Sequence, residues 1–379
     1  MQMNDHRIAD AKRKGMAAIM QQLDINGLKR GGVEWTGPCP ICGGTDRFSI
    51  NTRKSQFLCR QCGGKGDEIG LVRFIMGLDF VGALEWICGP KQQLSEAEIA
   101  KRAARNAENM ARKDREAKAY HDKAVREGRE VWEAGKPAED SPVRDYLALR
   151  GITRALFPKL PACLRFAPDL AYMVSNPDRG SSNKWIEIHR GPAMLAAVQG
   201  QNDRFCAVHR TWFDLAQPQG KVHILDPVTA EPLPRKKGWG AKKGGAIRLR
   251  NGAAANRTLV MAEGIETTLS ALIGDAYPGA HYWAGVDLGN MSGQRKTGKG
   301  LKYAGIPDLE DAEAFLPPPW VDRLIFVKDG DSDPRDTQAK LEAGIRRAMV
   351  SRPGLRGQIA PCPDGLDLND VLLGGGKNG

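Results

Sequence analysis

A chain of 379 residues is longer than one hydrophobic core of ordinary size and predicts two or three domains. Its 41% hydrophobic and 27% charged residues describe a globular protein in water, and no segment approaches the roughly 18 apolar residues that a membrane span needs. A formal net charge of +11 and a pI of about 9.3 favour a polyanionic partner, nucleic acid first, over a merely basic surface.

The opening residues, MQMNDHRIADAKRKGMAAIMQQL, hold no apolar core long enough for a signal peptide. A cytoplasmic protein with reduced cysteines is expected. Residues 1–32 are predicted as an N-terminal helical segment, and residues 33–90, rich in Gly and Cys, as a small ribbon of their own. Residues 91–140 form a charged linker. From Leu94 to Glu133 the chain is Ala, Lys, Arg and Glu with hardly any large apolar residues, which suits a solvated spacer: a long helix or a partly disordered segment. GKPAEDSP, Gly135–Pro142, closes it.

A second folded unit opens at SPVRDYLALRGI, where Ser141 can cap a helix and Pro142 suits its first turn. Residues 141–255 read as a mixed α+β subdomain, with LRFAPDL, AMLAAVQ, FCAVHRTWFD and KVHIL as strands. Residues 256–379 alternate short apolar runs with helical patterns: TLVMA then IETTLSALIG, HYWAG, LIFVK then TQAKLEAGIRRAM, QIAPC then LNDVLLG. That alternation predicts an α/β domain with a mostly parallel sheet, in a chain that is α+β overall.

Cys39-Pro-Ile-Cys42 and Cys59-Arg-Gln-Cys62 are two knuckles, each followed by a pair of glycines. Four thiolates make a closed tetrahedral site, hence structural Zn²⁺ and no chemistry at the metal. In so small a module the metal carries much of the folding energy. Phe48 and Phe57 sit between the pairs among Arg47, Arg53 and Lys54. They either stack nucleic-acid bases or form the ribbon's own core. Cys88, Cys163, Cys206 and Cys362 are scattered singly and read as small buried hydrophobes.

Two of the apolar runs end on acids: TLVMA on Glu263-Gly264, and LIFVK on Asp329-Gly330-Asp331 with Asp333 beyond. Ligands of doubly wound sheets sit past the carboxyl ends of the strands. If these two strands are neighbours, Glu263, Asp329 and Asp331 converge, and a divalent cation with hard oxygen ligands, Mg²⁺ or Mn²⁺, makes the repulsion tolerable. QIAPC leads to PDGLDLND, where Asp367 and Asp370 offer a further carboxylate. An EF-hand is rejected, because Pro334 stands where its Gly belongs and Lys340 where its Glu belongs. Gly293–Lys299 matches the start of a P-loop, but Gly300 replaces the metal-binding hydroxyl and VDLGNMS before it is no strand, so no helicase motor is expected.

Polyanionic substrates need cations round an acidic pocket. RKKGWGAKKGGAIRLR, residues 235–250, holds seven basic residues and no acids: Lys236, Lys237, Lys242, Lys243 and Arg248 are candidate contacts, with Trp239 to stack on a base. Arg210 and Lys328 are further candidates, while His189 and His209 read as strand histidines.

Glu-Gly after one strand, Asp-x-Asp after another and a later acidic turn resemble the Toprim domain of primases, topoisomerases and related nucleases. A four-Cys ribbon ahead of it narrows the resemblance to Toprim primases of phages and mobile elements. It is similar to the primase half of phage primase-helicases and to bacterial replicative primases. SPVRDYLALRGI, GPAMLAAV, VHRTWFD, GGAIRL and EGIETTLSA carry that resemblance over residues 33–90 and 141–373. It implies Glu263 as general base or metal ligand, Asp329 and Asp331 as metal ligands and Asp367 as the third acidic position. The chain departs from the bacterial pattern at Asn369, where an Asp would stand, and Glu266 is one residue short of a further acidic position in some relatives.

What the resemblance implies is a DNA primase. It would copy single-stranded DNA into short RNA primers from NTPs by metal-dependent nucleotidyl transfer, with the zinc ribbon reading the template and a separate replicative helicase as partner. A metal-dependent Toprim nuclease is one alternative. A nicking–rejoining enzyme needs a Tyr nucleophile, and none of the six tyrosines lies in a persuasive motif. A non-catalytic single-stranded DNA-binding accessory module is the other alternative.

Overall fold

The computed structural model describes residues 5–90, 96–178, 180–296, 298, 300–328, 333–362, 365, 366 and 368–374. It divides into two compact units, Met1–Asp114 and Arg115–Gly379. The fold is mixed α+β, with a zinc-ribbon region at the N-terminal end and several sheets. No helix among the described residues is long and apolar enough to cross a membrane.

In the first unit, α1 (His6–Gln22) precedes an antiparallel sheet of β1 (Lys29–Gly31), β2 (Glu34–Cys39), β3 (Gly43–Asn51), β4 (Gln56–Cys59) and β5 (Lys65–Gly66), paired in sequence order. Two short helices follow, α2 (Glu68–Met76) and α3 (Phe80–Cys88). Asp67 caps α2 through the Gly70 N–H and Asp79 caps α3 through the Gly82 N–H, satisfying donors that a helix start leaves open. Met16 and Ile19 of α1 pack in one cluster with Phe48, Ile50, Phe57, Leu71 and Leu84. Phe48 and Phe57 are buried and meet Phe74 at centroid distances of 6.3 and 5.3 Å. Of the two roles open to them, the structure gives core.

The charged segment is a single helix, α4 (Glu96–Ala134), followed by β6 (Lys136–Pro137). Ser141 accepts from the Val143 N–H and Pro142 occupies the first turn of α5 (Pro142–Leu149), as its sequence suggests. A second antiparallel sheet comprises β7 (Leu164–Ser175), β8 (Trp185–Gln199), β9 (Phe205–Trp212) and β10 (Lys236–Gly240), ordered β10-β9-β8-β7-β6.

A third sheet holds β11 (Ile247–Arg250), β12 (Thr258–Ala262), β13 (His281–Ala284), β14 (Arg323–Val327) and β15 (Arg356–Ala360). The helices between them are α6 (Ile265–Ile273), α7 (Leu288–Ser292), α8 (Pro334–Ser351) and, last, α9 (Leu368–Leu372). The order is β11-β13-β12-β14-β15, parallel except for β11. Leu259 and Met261 of β12 face Leu341 and Ile345 of α8, whereas Val260 and Ala262 face Leu269 of α6. Both faces are covered, which is why these strands read as unbroken apolar runs. The second and third sheets share a core, in which Met194, Ala196 and Val198 of β8 cluster with Val260, Tyr282 and Ile325. The basic run 235–250 holds two strands: β10 in the second sheet and β11 in the third, the latter on the near side of the boundary that the sequence suggests at 255/256.

Candidate functional site

The ribbon's four sulfurs, Cys39, Cys42, Cys59 and Cys62, lie within 4.8 Å of one another. Cys39 and Cys62 sulfurs are 3.8 Å apart, and those of Cys42 and Cys59 3.6 Å. A tetrahedron of sulfurs each about 2.3 Å from zinc has edges of about 3.8 Å, so the donor set fits that ion. The Ile41 N–H points at the Cys39 sulfur and the Cys62 N–H at the Cys59 sulfur. Gly43 and Gly63, at φ +66° and +74°, make the left-handed turn that lets each knuckle close. Burial pushes the Cys59 thiol up, but the Cys62 and Gln61 N–H groups and the neighbouring sulfurs outweigh it and bring it to about 6.

In the larger unit the condition for converging acids is met in the backbone. β12 and β14 are hydrogen-bonded parallel neighbours, Thr258–Met261 against Arg323–Phe326. The same register continued two residues sets Glu263 level with Lys328. From β12 the chain passes through α6 to β13 on one side, while β14 lies on the other, so Glu263 stands at a topological switch point. Asp329, Asp331 and Asp367 lie outside the described residues. Asp333 serves elsewhere, as the N-cap of α8, where it accepts from the Arg335 and Asp336 N–H groups. Asn369 is fully buried and its amide donates to the Arg150 carbonyl and, at 3.4 Å, to Ser270 Oγ. A carboxylate there has no proton to give, so the site fits Asn and not Asp.

Glu266 sits on the first turn of α6, 3% exposed. Lys236 Nζ donates to its Oε2 at 2.7 Å and the Tyr146 hydroxyl donates to its Oε1. Burial works against the carboxylate, but Lys236 and Tyr146 hold its pKa well below the usual range. The same burial, with the Glu266 charge beside it, drives the Tyr146 hydroxyl well up. A Cβ on Gly264 would meet Lys236 Nζ at 3.8 Å, so this ammonium lies beside the Glu263-Gly264 turn. Both its oxygens are engaged, which makes Glu266 a partner of Lys236 and Tyr146. His209 of β9 is buried at the same place, and burial first, then the Lys236 charge, lowers it to about 3. It is a strand histidine held neutral.

The remaining basic candidates scatter. Lys242 pairs with Asp287 at 2.5 Å, Lys243 with Glu313, and Arg248 with Asp203 at 2.5 Å while lying over the Trp283 ring. Arg210, Lys237 and Trp239 share another face of the second sheet. Lys328 bonds Ala360 through its backbone N–H at 2.9 Å. Tyr146 is invisible as a partner of Glu266 in the sequence. Only tertiary packing brings its hydroxyl to that carboxylate, 120 residues away in the chain, and no local signal marks it.

Residues 35–69 match the family model of the zinc-binding domain of primase-helicase, and residues 122–249 that of a domain of unknown function (DUF7146). No curated protein matches the chain. Among solved structures, the Aquifex aeolicus primase, with its zinc-binding and RNA polymerase domains, is similar at 16% identity over 98% of this chain and 83% of that one, with a TM-score of 0.36. A DNA primase domain from Pseudomonas aeruginosa is similar at 16% identity over 64% of this chain and 72% of its own, TM-score 0.38. The primase fragment of the bacteriophage T7 primase-helicase protein is similar at 14% identity over 90% and 95%, TM-score 0.31. The N-terminal module is thus a zinc ribbon of the primase-helicase kind.

Proposed function

We propose that this protein is a DNA primase, a nucleotidyltransferase that copies single-stranded DNA into short RNA primers from NTPs and serves a separate replicative helicase. The observation that carries the reading is the coexistence, on one chain, of a primase-type zinc ribbon and a parallel sheet whose neighbouring strands β12 and β14 run into Glu263 and the Asp329–Asp331 segment. On this reading 256–379 is a Toprim domain, 141–255 the first half of the catalytic core, and 33–90 the template reader.

Glu263, Asp329, Asp331 and Asp367 would supply hard oxygen donors of the kind that suits Mg²⁺ or Mn²⁺. When bound, such a cation lowers the pKa of the attacking 3′-hydroxyl and offsets charge on the triphosphate. Glu263 takes the hydroxyl proton or shares in holding the cation. Lys236, paired with Glu266 and lying beside Gly264, faces the phosphates of the incoming NTP. Pyrophosphate leaves as the 3′-oxygen bonds to the α-phosphorus.

The test is incubation of the full chain with mixed-sequence single-stranded DNA, Mg²⁺ or Mn²⁺ and labelled NTPs, with Asp329→Ala/Asp331→Ala as the control. Short labelled oligonucleotides from wild type alone are expected. Template cleavage that depends on the same carboxylates would instead make it a nuclease, and binding without product an accessory module.

A further inference from the structure

Strand register divides the basic run into two sets. Lys236 pairs with Thr211 and Gly238 with His209, on the face of the second sheet that joins the core. Lys237 pairs with Arg210 and Trp239 with Val208, so their side chains take the opposite face. There the Arg210 guanidinium lies over the Trp212 ring at 5.2 Å and the Trp239 ring at 5.7 Å. Lys237 Nζ lies 4.2 Å from the centroid of the Tyr172 ring and donates to the Met173 carbonyl at 2.6 Å. Trp185 meets Trp239 edge-on at 6.3 Å and is itself 46% exposed.

Arg210 and Lys237 stand directly opposite each other across strands. Like charges so placed repel, and both are partly withdrawn from water. Burial lowers Arg210 to about 10 and also lowers Lys237, which Arg210 depresses further. No carboxylate among the described residues answers either cation. Their neighbours in sequence behave otherwise: Lys236, Lys242, Lys243 and Arg248 each have an acid. Beneath them Tyr172 and Trp212 are fully buried in a small core with Ile224, so what reaches solvent is a strip of partly exposed Arg210, Lys237 and Trp239 edged by Trp185. Two adjacent cations with no acid beside them, next to an exposed indole, suit an anion from outside that carries a flat ring.

We propose that this outer face of the second sheet binds single-stranded nucleic acid, a phosphodiester resting on Arg210 and Lys237 and a neighbouring base stacking on Trp185 and Trp239. Stacking on aromatic side chains beside a cationic track is how single strands are held without regard to sequence. The face is turned away from the core side on which Glu266 and Lys236 approach Glu263, so it holds the strand and takes no part in the chemistry. The strand's role as template rests on the primase reading; its binding does not.

The experiment is anisotropy titration of a labelled oligo-dT strand with the full chain, its Trp185→Ala variant and its Lys237→Gln variant, each checked for an unchanged thermal midpoint. Trp185→Ala should bind about tenfold more weakly. Lys237→Gln should lower the slope of log K against log salt by about one. Wild-type affinity and slope in both folded variants would overturn the proposal. So would displacement of the oligonucleotide by ATP or inorganic phosphate at micromolar concentration, which would make the strip a site for free nucleotides or phosphate. Primer synthesis, assayed alongside, separates the two ideas. Weakened binding in the variants with no primers from wild type removes the primase and keeps the strip. Primers from wild type with unchanged binding in the variants does the reverse.

Discussion

In the ribbon, four sulfurs stand within 4.8 Å of one another and the ion that fits among them supplies the counter-charge from outside. In the larger unit, the buried Glu266 finds its counter-charge within the chain, in Lys236 at 2.7 Å. The first arrangement is written in two short motifs and depends on a metal. The second joins residues from α5, α6 and β10 and depends on the sheets being assembled. The ribbon should therefore fail alone when its metal goes, and the larger unit should fail from within when one partner of a buried pair is removed.

The largest effect expected is that of zinc removal. Structural zinc in small modules is worth on the order of 10 kcal/mol. A chelator should abolish amide-exchange protection across β2–β5 and leave that of β8, β9 and β12 intact. Protection surviving in the ribbon after metal analysis finds no zinc would break the comparison. Next comes Lys236→Ala, which strands a buried carboxylate and should cost about 3 kcal/mol in urea unfolding. Adding Glu266→Gln should recover part of that loss; a double variant no better than the single would show that the pair is not what matters.

Acid sharpens the contrast. His209 is lowered to about 3 in the folded chain, against an ordinary value of about 6.5 in the unfolded one. Between those values the unfolded chain binds the extra proton, so stability falls as pH falls, by up to about 1.4 kcal/mol per pH unit. From pH 6.5 to pH 5 the larger unit should lose about 2 kcal/mol that His209→Gln does not lose. Glu266, also depressed, adds its own loss only below the ordinary carboxylate range. Asn369→Asp removes two donated hydrogen bonds from a buried site and should cost about 2 kcal/mol at pH 7, read by the same unfolding curves. The smallest effect belongs to Lys243→Ala. Its pair with Glu313 leaves both side chains 65% exposed, and exposed pairs contribute less than about 1 kcal/mol. A loss from Lys243 as large as that from Lys236 would mean that burial does not separate them.

Lys236 and Lys243 look alike in the run RKKGWGAKKGGAIRLR, and so do Lys236 and Lys237. Their roles differ because β10 alternates faces: one lysine turns to Glu266, the next to Arg210 and Tyr172. Phe48 and Phe57 were open between stacking and core until α2 brought Phe74 against them. Asp333, one of three neighbouring acids in sequence, became the cap of α8 because Pro334 begins that helix.

By itself the sequence determined the zinc site, since the knuckle spacing sets the sulfur geometry locally. It also determined the parallel sheet's strands, since burial on both faces demands unbroken apolar runs, and the helix starts at Ser141 and Pro142, where capping is a property of adjacent residues. Only the tertiary structure decided which strands are neighbours, and with that the position of Glu263 beside β14. It alone decided that Glu266 pairs with Lys236, that Asn369 ties α9 to α5 and α6, and that Arg210 and Lys237 share a face. Those outcomes depend on register and packing between residues far apart in the chain, and no short stretch of sequence encodes the distance between them.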